Sequence, residues 1–154
     1  MSIHKAAAYL ICVAAVAGCG QSKPAETASS ESSATPAAAT FAEQVAQGQK
    51  LYGEHCADCH GASGEGAKAP AVVGLDKGAL PLDPPPKAEV RKSQFKTVAD
   101  IAAFVVKNMP ADAPGTLTAE QYYSILAFDL KANGIDLGAK KLDGELAPTL
   151  TVPR

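Results

Sequence analysis

Apolar positions along this chain change rhythm several times, and each change marks a boundary. Residues 6–17 form a continuous apolar run of twelve behind His4 and Lys5. A bilayer span needs about 20 residues, so this run has the proportions of a cleaved secretory signal instead. Residues 20–40 are rich in Ala, Ser, Thr, Pro and Glu and show no apolar period. They cannot build a core and predict a flexible tether with a mean span of roughly 25 Å. Helical spacing begins at Phe41, with Val45, Gly48 and Tyr52 on one face. A second helix is predicted over 98–107, where Ile101, Phe104, Val105 and Val106 are apolar. Thr118 opens a third, with Gln121 three residues on as its capping-box partner. Tyr122, Ile125, Leu126, Phe128 and Leu130 give that helix its apolar residues, and Asn133-Gly134 stops it. The tail, 135–154, has no clear period and is expected to wrap the body irregularly. No strand pattern is visible, so the expected fold class is all-α. The expected organisation is a signal peptide at 1–18, a tether at 19–40 and one domain at 41–154.

Composition narrows the function. The 154 residues allow one domain with tails, and 47% apolar with 19% charged residues is ordinary for a soluble globular chain. Only 5% are aromatic and there is no Trp, so the core is thin and a buried cofactor would supply missing bulk. The net charge of −2 argues against a nucleic-acid binder, which carries a basic excess. Four cysteines in an exported chain suggest two disulfides, but each has a local explanation. Cys12 lies in the apolar run and leaves with it, and Cys19 sits at that run's end.

The other two cysteines belong to Cys56-Ala57-Asp58-Cys59-His60, a C-x-x-C-H sequence. That spacing is the attachment signature of c-type haem. Two thiols three residues apart on a helical turn reach the two vinyl groups on one haem edge, and His60 then offers an imidazole to the iron. A redox C-x-x-C, a disulfide and a zinc site compete. Zinc takes four protein ligands, and only Cys56, Cys59, His60 and His55 offer themselves, crowded into one segment. A thioredoxin-like motif needs a βαβ setting, which is missing. A sixth iron ligand emerges by elimination. The chain has two methionines, and Met1 leaves with the signal. Met109, followed by Pro110, is then the one thioether in the mature protein. A lone Met is ordinarily core filler, but behind a C-x-x-C-H sequence the ligand reading is preferred.

With these residues the sequence resembles a class I c-type cytochrome, a mono-haem all-α fold, over roughly residues 41–134. Gly61, Gly64, Gly66, Pro70 and Gly74 resemble the family's punctuated loop after the haem motif, although simple turn chemistry also explains them. The resemblance implies that the Pro70 carbonyl accepts the second ring N–H of His60. It also implies a close crossing of the first and last helices, for which Gly48 and Phe128 resemble the pair, with Tyr52 beside them. Val16-Ala17-Gly18-Cys19 resembles a bacterial lipobox. That implies cleavage before Cys19, lipid on its thiol and acylation of the new N-terminus, which together anchor stably. The alternative is a plain signal with an incidental cysteine. Gly20, rather than Asp, resembles the sorting pattern of outer-membrane lipoproteins.

One departure from the minimal family pattern lies at 80–96, which is rich in proline and carries Lys87, Arg91, Lys92 and Lys96. This cluster could steer an acidic partner or offset haem propionates, or be plain solvated surface. The expected function is one-electron transfer by a covalent haem c with His60 and Met109 as axial ligands. No catalysis of its own is expected, since six-coordinate iron leaves no substrate site. The protein would be lipid-anchored at Cys19 on the periplasmic or extracytoplasmic face of a membrane, exchanging electrons with donor and acceptor proteins. The alternatives are a haem enzyme or gas sensor with a displaceable Met109, and an electron-transfer subunit of a larger dehydrogenase or oxidase.

Overall fold

The computed structural model describes residues 37–74, 83–84, 89 and 91–153. The expected signal peptide, most of the tether with Cys19, and Lys87 of the basic cluster lie outside the described residues. Ala38 is buried, so the packed structure includes residues just ahead of the first helix.

Among the described residues three longer helices form, and each begins at a threonine. Helix α1 is Phe41–His55, α2 is the single turn Ala57–His60, α3 is Val98–Asn108 and α4 is Ala119–Ala132. Thr40, Thr97 and Thr118 each accept the N–H of the residue three positions on, and the side chains of Glu43, Asp100 and Gln121 reach back to the cap. Two of the free N–H groups at each helix start are thereby satisfied. Asn133 ends α4, as expected, and Gly134 follows with φ +82°. No strand occurs among the described residues, apart from an isolated antiparallel bridge between Thr97 and Thr151.

α1 and α4 cross in close backbone contact. A Cβ built on Gly48 would stand 1.8 Å from the Ser124 carbonyl oxygen, so glycine is what lets the helices meet. Beside the crossing, the Tyr52 and Phe128 rings lie 5.1 Å apart at 46°. The expected crossing forms at Gly48, which meets the backbone at Ser124, and Phe128 packs on Tyr52 beside it.

The tail does more than wrap. Leu142, Ala147 and Val152 enter the same buried cluster as Phe41, Ile101, Leu126 and Leu130. The fully buried Gln44 amide holds Leu142 by both backbone groups, donating to its oxygen and accepting from its nitrogen, each at 2.7 Å. The tail also donates and accepts along the start of α3, with Val98 N–H on Leu150 O at 2.9 Å and Val152 N–H on Lys96 O at 3.1 Å.

The basic cluster is not a single surface. Arg91 is buried, its guanidinium 4.3 Å from the Phe95 ring centroid and donating to Asp83 O at 2.6 Å. Lys92 and Lys96 are exposed. A planar, weakly hydrated guanidinium stacks on an aromatic face where ammonium groups stay in water, which is why the arginine turned inward.

Candidate functional site

A cavity of about 580 Å³ opens between the helices. That volume is in the range of cofactor and ligand sites. Cys56, Cys59 and His60 border it from one segment and Met109 from another, far along the chain. Val72, Val105 and Ile125 give it apolar wall, and Tyr52 and Asp129 add polar groups.

The C-x-x-C-H segment is held by local hydrogen bonds. Cys56 ends α1 with its N–H on Tyr52 O at 2.8 Å, and the chain re-enters a helical turn through His60 N–H on Cys56 O at 2.9 Å. That turn brings Cys56 and Cys59 round to the same cavity. The two are not joined in a disulfide; Cys56 is half-buried and Cys59 exposed. Burial, and then the charge of Asp129, push the Cys56 thiol up to about 12.

His60 Nδ1 lies 2.7 Å from the Pro70 carbonyl oxygen. A carbonyl only accepts, so Nδ1 carries the proton and Nε2 keeps its lone pair for a metal. The loop that brings Pro70 there folds back on the motif. Ala69 N–H reaches Cys59 O at 2.8 Å, Gly66 N–H reaches His60 O at 2.7 Å, and Val72 and Val73 both donate to Gly64 O. Gly64 has φ +83°, and a Cβ there would fall 2.5 Å from Val73 Cγ2. His55 also borders the cavity, from the end of α1, and faces Glu54 at 3.9 Å.

Met109 is the C-cap of α3, its N–H on Val105 O at 2.8 Å, and is half-buried. Its carbonyl accepts from the Tyr122 hydroxyl at 2.6 Å, and the same hydroxyl accepts from Gly115 N–H at 3.1 Å. One α4 side chain thus fixes the loop that leaves Met109. Asn133 does the equivalent for the other loop, donating to Val72 O at 2.9 Å and accepting from Gly74 N–H at 2.8 Å.

Sequence reasoning missed Tyr122, Asn133 and Asp129 as site residues. Tyr122 reads as a plain apolar position and Asn133 as a helix stop. Asp129 did carry a signal, since Tyr122, Ile125 and Asp129 share one helical face, so it puts a charge in an apolar stripe.

The residues fit a covalent haem. Two thiols, a histidine with its metal-binding nitrogen free and a thioether border one largely apolar cavity of cofactor size. Among the described residues, no group of three or more His, Cys, Asp or Glu could hold a metal ion, as a zinc site would require.

Comparison with known proteins agrees. Residues 43–128 match the family described as cytochrome c oxidase, cbb3-type, subunit III. Among solved structures, the sulfane dehydrogenase SoxCD from Paracoccus pantotrophus matches with a TM-score of 0.54 and 29% identity. The match covers 71% of this chain and 53% of that one, so it spans about half the length of the SoxCD chain. No curated protein matches. Fold, cavity and family match together make this chain a class I c-type cytochrome of that family, which carries a covalently bound haem c.

Proposed function

We propose that the protein is a one-electron carrier whose haem is attached through Cys56 and Cys59 and ligated by His60 and Met109. The observation that carries this reading is that these four side chains, from two distant segments, border one cavity. When bound, haem supplies an iron that cycles between ferric and ferrous states. The residues of the chain set how it does so. His60, its Nδ1–H held by Pro70, presents Nε2 in a fixed tautomer and orientation. Met109 offers a neutral thioether, which favours ferrous iron and raises the potential. Tyr122 and the end of α3 hold the Met109 backbone, so the same two ligands serve both redox states with little rearrangement. Held by both His60 and Met109, the iron would have no open position for a substrate, so no catalysis of its own is proposed. Cys19, acylated after signal cleavage, anchors the domain on the extracytoplasmic face of a membrane, in the periplasm where there is one and at the outer membrane on the Gly20 pattern. The donor and acceptor are other redox proteins. The likeness to a sulfane dehydrogenase favours a second role of the same chemistry, as the electron-transfer subunit of a larger dehydrogenase or oxidase.

The test is Met109→Ala in the full chain. Haem attachment survives, because Cys56, Cys59 and His60 are untouched. The ferric absorption band diagnostic of a methionine–iron bond disappears, the reduction potential drops, and carbon monoxide binds far more readily than to the parent. A parent that binds carbon monoxide readily, or a variant with unchanged potential, overturns Met109 as ligand and favours the sensor or enzyme reading.

A further inference from the structure

Asp129 is one of several ionisable groups on the cavity wall with no part in haem attachment or ligation. Asp129 sits in the second half of α4, on the stripe that includes Ile125, and borders the same cavity as Cys56, His60 and Met109. Its Oδ1 is buried and has no hydrogen-bond partner. The Tyr52 hydroxyl, which also borders the cavity, donates instead to Gly61 O at 3.0 Å. A carboxylate with one oxygen buried and unpaired is costly in its charged form. Burial accordingly pushes Asp129 up to about 8.

The other titratable groups of the cavity wall do not offset that charge. From α1 come Tyr52, Glu54 and His55. From the motif come Cys56, Asp58, Cys59 and His60, of which the two thiols are consumed by attachment and His60 by ligation. From the loop after α3 comes Asp112. α3 and its C-cap present Val105 and Met109, which are uncharged. Reduction therefore adds an electron to a site whose nearby carboxyl is already reluctant to ionise.

We propose that Asp129 couples haem reduction to proton binding. The balance is simple: one electron arrives from the donor protein, one proton arrives from solvent on the Asp129 carboxylate, and both leave on oxidation. The inference rests on the haem-carrier reading. Because reduction takes up a proton, the potential falls as pH rises. The fall approaches a tenfold loss of electron affinity per pH unit, about 59 mV, between the proton affinities of the two redox states. Outside that window it is flat.

The experiment is a redox titration of the holoprotein from about pH 5 to about pH 10, bracketing the raised carboxyl, for the parent, Asp129→Asn and Asp129→Leu. The parent is expected to show the slope and both variants to lose it. Reduced-minus-oxidised infrared spectra of the parent, in water and in heavy water, give a readout that needs no variant. A carboxylic-acid carbonyl band that appears on reduction and shifts on deuteration supports the proposal. A parent whose potential is indifferent to pH, a slope that persists in both variants, or the absence of that band overturns it and leaves the electron carrier intact. A haem that does not take up and release one electron reversibly overturns the carrier reading beneath it.

Discussion

The crossing of α1 and α4 gives the sharpest structural test. In Gly48→Ala a methyl group would be placed 1.8 Å from Ser124 O, 2.5 Å from Ser124 C and 3.1 Å from Ile125 N. Ordinary contact begins at 3.4 Å, so the helices must separate by about 1.6 Å or bend. The obstacle is helical backbone, which cannot turn aside as a flexible side chain can. Overpacking a tight core costs about 1–3 kcal/mol, occasionally more, and a backbone clash belongs at the upper end. Separation would also loosen the Tyr52–Phe128 ring pair, whose geometry is worth about 0.5–1.5 kcal/mol. The expected loss is therefore about 3 kcal/mol or more. Gly53→Ala is the internal control. It lies on the same helix, no atom lies within 4 Å of its built Cβ, and its φ is ordinary. There alanine should stabilise by about 0.4–1 kcal/mol through the unfolded chain's lost freedom. The assay is urea unfolding of the parent and the two variant holoproteins, followed by far-ultraviolet dichroism and by haem absorbance. A Gly48→Ala unfolding free energy within about 0.5 kcal/mol of the parent's, the range of an uneventful surface change, would refute the reasoning.

Two further outcomes follow from other parts of the chain. Gln44→Ala leaves both backbone groups of Leu142 buried without partners, at about 1–3 kcal/mol each, and should release the tail first. Hydrogen exchange should then show protection lost at Leu142 before α4; equal protection in parent and variant would sink that account. Cys19→Ser should abolish lipid addition and release the protein from membranes, measured by mature mass and partition after a salt wash; a parent that is soluble or lacks lipid would defeat the anchor.

What the sequence disclosed was whatever depends on near neighbours. The capping box of Thr118 and Gln121 joins residues three apart, and helix α3 begins and ends within a residue of where the apolar spacing puts it. The C-x-x-C-H segment is legible for the same reason, since five consecutive residues carry its chemistry. Reach along the chain sets the limit. Gln44 and Leu142 are 98 residues apart, and a glutamine in an amphipathic helix gives no sign that its partner is a backbone amide in the tail. Arg91 looked like surface because four basic residues stood together; its stacking on Phe95 depends on how the loop closes, which charge does not encode.

The same limit explains why the supports of the site were hidden while the residues proposed as its ligands were legible. A ligand is recognised by its side chain, whereas the carbonyl it depends on belongs to whatever residue the fold brings there. Tyr52 grips Gly61 O, next to His60, and Tyr122 grips the carbonyl of Met109 itself. Both hydroxyls are on aromatic residues whose rings already bury in the core. One residue type thus serves two ends: the ring packs a helix, and the hydroxyl fixes the segment that carries a proposed iron ligand. In a chain with only 5% aromatic residues, two of its four tyrosines are placed this way. Both segments that carry the proposed ligands are thus held by their backbone, as a carrier that exchanges electrons with little rearrangement would require.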